Sequence, residues 1–84
     1  MDGAMQKMPV PSVGRVVHYL SRGSADGRFP PEARAAIVTE VSGSSEYLVG
    51  LAVFNPTGIF LHSLDSGGAI YGDQPGEWTW PPRV

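Results

Sequence analysis

This chain has no cysteine. Disulfide bonds and thiolate metal ligands therefore cannot reinforce its core. Only two histidines are present, and they do not have the short spacing of a metal-binding motif. We expect no metal or other cofactor. A chain of 84 residues buries only a thin core, so association between copies is the remaining way to stabilise it.

Basic charge is also scarce. Six Lys and Arg residues are scattered among eight Asp and Glu, and the formal net charge is −2. Proteins that bind duplexes generally need a concentrated basic stripe, so we expect no general nucleic-acid binding. No apolar run has the length of a bilayer span, and the N-terminal residues lack a signal-peptide pattern. We therefore expect no membrane association.

Helical periodicity is missing, whereas turn-forming residues are frequent: 11 Gly and 8 Pro divide the chain into short extended pieces. Four pieces are rich in β-branched and aromatic residues, and a tryptophan-containing terminus makes the fifth. They span 14–20, 34–41, 46–54, 59–64 and 76–84. This pattern predicts an all-β fold, a small antiparallel five-stranded barrel of closed or SH3-like type, over 13–84. We expect residues 1–12 to form a flexible leader.

The central pieces have no properly polar face. Leu51 and Val53 alternate with Ala52 and Phe54, so apolar side chains point to both sides of the predicted strand. A single small barrel has only one interior. The second apolar face predicts a homo-oligomer.

The C-terminal piece contains both tryptophans, Trp78 and Trp80. A spacing of two places both indoles on one face of an extended strand, and Pro81 then ends any ladder because it has no N–H. Two interpretations stay open. The terminus is either a strand that closes the core, or a surface whose rings stack on bases.

Three arginines are candidates for binding phosphate. Arg22 and Arg28 lie in a loop with glycines and serines, and Arg34 follows at the start of the second strand. Guanidinium groups match phosphate oxygens in a bidentate fashion. The P-loop pattern is missing, and a solvated surface loop is the structural alternative.

Further candidate ligand contacts lie beside the strands. Asn55 and Thr57 offer an amide and a hydroxyl that suit a base or ribose, although turn formation alone also explains them. His18 and Tyr19 complete the candidate set together with the two tryptophans. No serine lies in a nucleophile elbow, and no carboxylate pair has a context that would separate two pKa values. We therefore expect no enzymatic activity.

Four segments together resemble a family of small proteins from bacteriophages and phage-rich metagenomes with a C-terminal Trp-x-Trp-Pro motif. They cover most of 13–84 and are Val13-Gly14-Arg15-Val16-Val17-His18-Tyr19, Arg34-Ala35-Ala36-Ile37-Val38-Thr39-Glu40-Val41, Val53-Phe54-Asn55-Pro56-Thr57-Gly58-Ile59-Phe60 and Pro75-Gly76-Glu77-Trp78-Thr79-Trp80-Pro81-Pro82-Arg83-Val84. The family more often has His between the tryptophans, where this chain has Thr79. The resemblance implies a phage source and a small domain.

These features lead to one functional hypothesis and two alternatives. The hypothesis is a non-enzymatic, homo-oligomeric phage accessory protein in the cytoplasm of the infected bacterial host. It binds a small nucleotide-like ligand between subunits and sequesters a host immune signal, such as a cyclic nucleotide or an ADP-ribose derivative. The alternatives are a structural or decoration protein of the virion and a module that binds a host protein.

Overall fold

The computed structural model describes residues 9–82, and it is almost entirely β-structure. A short 3-10 turn, Leu64–Ser66, is its only named helical element in that range. Six strands follow one another along the chain: β1 Val16–Leu20, β2 Ala33–Val41, β3 Leu48–Asn55, β4 Gly58–His62, β5 Ala69–Ile70 and β6 Trp78–Thr79. None of the helical structure in the described range is long and apolar enough to cross a membrane.

The strands form one antiparallel sheet in the order β4-β3-β2-β1-β6, and β5 pairs with β3 outside this path. The sheet is open, because its two end strands, β4 and β6, do not pair with each other in the described range. One isolated parallel bridge joins Tyr71, just after β5, to Trp78 of β6. Beside it, the Gly72 N–H donates to the Trp78 carbonyl at 2.9 Å. These contacts bring the end of β5 to the far edge of the sheet.

The predicted strand count of five is wrong, because the structure has six strands. The additional strand is the two-residue β5, within a segment that reads as a polar loop. Its position follows from unequal strand lengths. β4 pairs with β3 only from Leu51 to Asn55, and Ala69 and Ile70 pair with the remaining Val49 and Leu48.

One face of the sheet forms the core. Residues that face one another across antiparallel strands share a face, so Val17, Ala36 and Val53 form one inward row. The core consists of nine buried apolar residues: Val17, Tyr19, Ala36, Val38, Val49, Leu51, Val53, Ala69 and Trp78.

Trp78 is the largest side chain of the core, and it is fully buried. Its indole N–H donates to the Tyr47 carbonyl at 3.0 Å. Its ring makes edge-to-face contacts with Tyr71 at 5.2 Å and with Trp80 at 5.3 Å. Of the two interpretations of the C-terminal piece, a strand that closes the core therefore applies to Trp78. The ring belongs to the core, and its one hydrogen-bond donor is satisfied.

A bulge in the middle of the sheet fixes the connection after β4. The register of β2 against β3 shifts between Val38 and Glu40. The Glu40 carboxylate then lies over Gly50, where an added Cβ would be 2.7 Å from Oε2, and accepts the Leu64 N–H at 2.9 Å. This contact ties the 3-10 turn to the centre of the sheet.

The opposite face of the sheet is also apolar and is uncovered in the described range. One row across the strands runs Val16, Ile37, Ala52, Leu61, and the next runs His18, Ala35, Phe54, Ile59. At the open edge, Ile59 and Leu61 are 63% and 70% exposed. The sequence prediction of strands with two apolar faces is therefore confirmed.

Residues 1–8 of the predicted leader, 1–12, lie outside the described residues. Its last residues, 9–12, are described, and they contact the domain. Pro11 is buried, and the Ser12 carbonyl accepts the Arg15 N–H at 3.1 Å.

Replacement of each tryptophan by alanine should lower the free energy of unfolding by a different amount. Trp78→Ala empties the centre of the core and should cost about 3–5 kcal/mol, which approaches the whole stability of a small domain. Trp80→Ala removes a half-buried ring and should cost about 1–2 kcal/mol. Urea unfolding followed by circular dichroism measures both. Equal losses would contradict the assignment of Trp78 to the core.

Candidate functional site

A cleft of about 340 Å³ opens where the buried rows of the core end. We call it the arginine cleft. The end of β1 and the following loop supply one wall, made by Tyr19, Ser21, Arg22, Gly23, Phe29 and Pro30. The ends of β2, β3 and β4 supply the rest, made by Arg34, Val53, Asn55, Phe60 and His62.

Arg34 occupies a position that faces the core. It lies directly opposite the buried Tyr19 in the β1–β2 register and two residues before the buried Ala36. Its Nε is buried and has no hydrogen-bond partner within 9–82. A cation on the inward face that is not neutralised by a carboxylate is costly unless an anion meets it.

Arg22 is a second cationic residue among those that line the cleft. This side chain is exposed and packs on the backbone of the buried Gly76. A Cβ on Gly76, whose φ is +89°, would lie 2.8 Å from Arg22 Nη2. The positive φ is the reason that this position favours glycine, because the Arg22 guanidinium is the flexible end of its side chain and could move away from a Cβ.

Aromatic rings form the side of the cleft opposite the arginines. Phe60 and His62 alternate on the inward face of β4, and their rings stack at 5.6 Å with an interplanar angle of 24°. The Tyr19 ring meets His62 at 5.8 Å. His62 Nε2 is buried and lacks a partner in the described range, so this wall also contains an unsatisfied polar atom.

The loop over the cleft is held by its own hydrogen bonds. Ser24 N–H donates to the Phe29 carbonyl at 2.8 Å, and Phe29 N–H donates to Ser24 Oγ at 2.9 Å. Gly23, with φ of +73°, allows the loop to close, since a Cβ there would lie 2.6 Å from the Phe29 carbonyl oxygen. Phe29 is 66% exposed at the rim, where ring stacking on a ligand would cover it.

Asp26 fastens the tip of this loop. Its Oδ1 accepts the Ser24 hydroxyl at 2.7 Å and the Arg28 N–H at 3.0 Å. The hydrogen bond from Ser24, followed by that from the Arg28 backbone, lowers the pKa of the Asp26 carboxyl below its ordinary 3.8. The ionised carboxylate therefore orders the loop that carries Phe29.

The structure brings four of the nine predicted site residues together in the arginine cleft: Tyr19, Arg22, Arg34 and Asn55. The others lie elsewhere. Arg28 is exposed in the loop without lining the cleft, and Thr57 is exposed in the β3–β4 turn.

The remaining three predicted residues also lie away from the arginine cleft. His18 faces the outer side of β1, opposite Thr79, beside a pocket of about 160 Å³. Trp78 is in the core. Trp80 is half-buried, with the Arg15 guanidinium 4.8 Å from its ring centroid.

A second groove, of about 390 Å³, lies beside Trp80 and is lined by Pro9, Arg15, Val16, Trp80 and Pro81. Among the described residues that line it, Arg15 is the one charged side chain, and its guanidinium lies over the Trp80 ring. The Trp80 indole N–H is buried and has no partner within 9–82. The arginine cleft is lined by two cationic residues and several rings, whereas this groove is lined by one cationic residue and one aromatic ring among the described residues.

Sequence reasoning missed Phe29, Phe60 and His62. A usable signal existed for the last two, since Phe60 and His62 are two residues apart and therefore share one face of β4, opposite to the face of Leu61. The residues 9–82 contain no group of three or more His, Asp or Glu side chains placed to hold a metal ion.

No family model matches this chain, and neither a curated protein nor a solved structure matches it significantly.

The lowered pKa of Asp26 gives a pH prediction. Because the pKa is lower in the folded state, the loop contacts contribute fully above the ordinary value and are lost as the pH falls through the lowered one. Carbon-detected NMR titration should give Asp26 a midpoint below 3.8. Ser24→Ala removes the largest cause and should move the midpoint back towards the ordinary value. A midpoint that Ser24→Ala leaves unchanged would contradict this account.

Proposed function

We propose that this chain is a non-enzymatic phage accessory protein that binds a small, phosphate-bearing, nucleotide-like ligand in the arginine cleft. In the cytoplasm of an infected bacterium it would sequester a host immune signal, such as a cyclic nucleotide or an ADP-ribose derivative. The observation that carries the proposal is Arg34, a cation at a core-facing position with an unpartnered Nε within 9–82.

The charges of the cleft favour an anion. Arg22 and Arg34 both line it, whereas no Asp or Glu of residues 9–82 does. Charge-assisted hydrogen bonds from guanidinium to phosphate are among the stronger polar contacts, about 1.5–3 kcal/mol each. A phosphate group would also offset the cost of keeping Arg34 half-buried.

The rings of the cleft favour a ligand that has a planar group next to its phosphate. Phe60 is 47% exposed and Phe29 more so, and both residues line the cleft. Stacking of a base on an aromatic side chain contributes about 1–3 kcal/mol. Asn55 supplies an amide that can both donate and accept, as the edge of a base requires.

The volume limits the size of the ligand. About 340 Å³ is at the lower end of the range for small-molecule sites, about 300–1,000 Å³. One cleft therefore suits about one nucleotide unit. A cyclic dinucleotide or a larger signal would extend beyond a single cleft and would need a second copy of the chain.

We also propose that the sheet curves into the SH3-like barrel that the sequence predicts. The Tyr71–Trp78 bridge supports it, because the bridge joins the end of β5 to β6 and thus links the two sides of the sheet. The long loop between β1 and β2 would then lie at the mouth of the barrel, over the end of the core.

One observation favours the alternative, a virion component or a module that binds a host protein. The outer sheet face presents Phe54, Ile59 and Leu61 without a covering element in the described range. Such a face suits a protein partner. It does not account for the paired arginines at the opposite side of the sheet, and co-sedimentation with virions would favour this alternative.

Calorimetry with a panel of cyclic nucleotides and cyclic ADP-ribose isomers tests the proposed function. Arg34→Ala and Arg22→Ala should each weaken binding by about ten- to a hundred-fold, because each removes charge-assisted hydrogen bonds. Arg34→Lys should restore only part of the loss, since a lysine lacks the planar fork.

Arg28→Ala is the matched control. It removes the same charge from the same loop region but from outside the cleft, so binding should change less than about threefold. If Arg28→Ala weakens binding as much as Arg34→Ala, the site is wrong. If the wild type binds no member of the panel more tightly than about 10 μM, the sequestering function is abandoned in favour of the virion alternative.

A further inference from the structure

β4 is an unprotected sheet edge. In the described range it pairs on one side only, with β3, so alternate backbone N–H and C=O groups on its other side have no strand partner. Natural sheets usually protect such an edge with charged residues, proline or a bulge. β4 has the sequence Gly-Ile-Phe-Leu-His, and its pairing with β3 is regular. None of these three protections is present.

From this edge we propose that β4 pairs with β4 of a second copy of the chain, in an antiparallel register centred on Phe60. The dimer itself is independent of the proposed function, but its role in ligand binding rests on that function, because the dimer makes the arginine cleft a site completed by two subunits. Register, charge and the position of the cleft each favour a second copy at this edge.

The register follows from the length of the strand. In a two-fold antiparallel pairing the residue numbers of opposite partners have a constant sum. Only the pairing of Phe60 with the partner's Phe60 places all five residues of β4 opposite a residue of β4. Ile59 then faces the partner's Leu61 on the outer face and Phe60 faces the partner's Phe60, so the three central residues of β4 meet apolar residues.

Charge also selects a second copy. The chain has a net charge of −2, and an identical partner repeats every charge at the interface. Identical chains therefore associate best where neither contributes an ionised group. β4 and the outer rows beside it, which include Phe54, Ala52 and Ile37, contain no Lys, Arg, Asp or Glu.

The position of the cleft connects the dimer to ligand binding. Phe60 and His62 line the cleft from β4. Pairing centred on Phe60 places the two clefts side by side across the symmetry axis, with the partner's Phe60 at the open side of each. Two clefts of about 340 Å³ would together accommodate a dinucleotide-sized ligand.

Light scattering coupled to size exclusion tests the assembly. At micromolar concentration the wild type should have twice the chain mass of 8.9 kDa. Leu61→Lys introduces two like charges at the new edge contact without altering a cleft residue, and should weaken dimerisation by about a hundredfold or more. Val16→Lys is the control: it makes the same kind of change on the outer face but on β1, and should remain dimeric.

Single cysteines test the register, and the chain has no other cysteine to interfere. Opposite residues of an antiparallel pair lie about 4.5–5.5 Å apart between Cα atoms, within disulfide reach. Phe60→Cys should therefore form a homodimeric disulfide readily under mild oxidation. Leu61→Cys should not, because its counterpart is on a diagonal at about 7–8 Å.

A wild-type monomer overturns the dimer. The β4 dimer is also overturned if Val16→Lys is monomeric while Leu61→Lys stays dimeric, because the copies would then meet on another face. Faster disulfide formation by Leu61→Cys than by Phe60→Cys overturns the register. The two proposals fail separately. A monomeric wild type that binds a nucleotide overturns the dimer alone, and a dimer crosslinked at Phe60→Cys while the wild type binds no nucleotide overturns the proposed function alone.

Discussion

The burial of Trp78 is the constraint on which the rest of this structure depends. In residues 9–82 one sheet is the only named layer, so its inward face is buried by side chains that the strands of the same sheet supply, and a large side chain is needed at the centre. Trp78 supplies that volume, and its indole N–H is satisfied by the Tyr47 carbonyl at 3.0 Å. The same residue pairs with Tyr19 of β1 and bridges to Tyr71. One tryptophan of β6 thus contacts both β1 and the residue that follows β5.

The candidate site is a consequence of where this core stops. Beyond Trp78 and the buried valines, the inward rows continue into Arg34, Phe60 and His62, which are too polar or too exposed to close the core. The loop held by Ser24 and Asp26 lies over this end. The core is apolar, whereas two of the three buried side-chain polar atoms that lack a partner in 9–82, Arg34 Nε and His62 Nε2, are at its open end. In this arrangement, removal of the exposed Arg22 side chain should leave folding almost unchanged.

Much of the fold was predictable from the sequence. Alternation of apolar residues and frequent Gly and Pro gave an antiparallel β-structure, and the spacing of Trp78 and Trp80 gave rings in contact with each other. β5 was not predictable, because two residues in a glycine-rich segment form a strand only where β3 extends beyond β4. Whether the sheet is a barrel, and how many copies associate, depends on long-range closure and on surfaces that no local pattern specifies.

Only part of the candidate site was predictable, because residue chemistry can be read from the sequence whereas strand register and loop path cannot. Arg22, Arg34, Tyr19 and Asn55 were selected by chemistry, and the structure brings them together. Arg28 has the same chemistry as Arg22 but lies outside the cleft, and only the path of the loop separates them. Phe60 and His62 were overlooked because their role depends on the register of β4 against β3, which places them beside Val53 and Leu51 on the inward face.

The central claim is that the arginine cleft holds a phosphate-bearing small molecule, and the ligand itself is the most direct evidence. Wild type, Arg28→Ala and Arg34→Ala should each be incubated with lysate from defence-active cells, repurified and denatured, and the released small molecules identified by mass spectrometry. The account predicts one phosphate-bearing compound with a planar ring, released by wild type and by Arg28→Ala and depleted in Arg34→Ala. Release of no such compound by the wild type, or equal release by all three proteins, would contradict it.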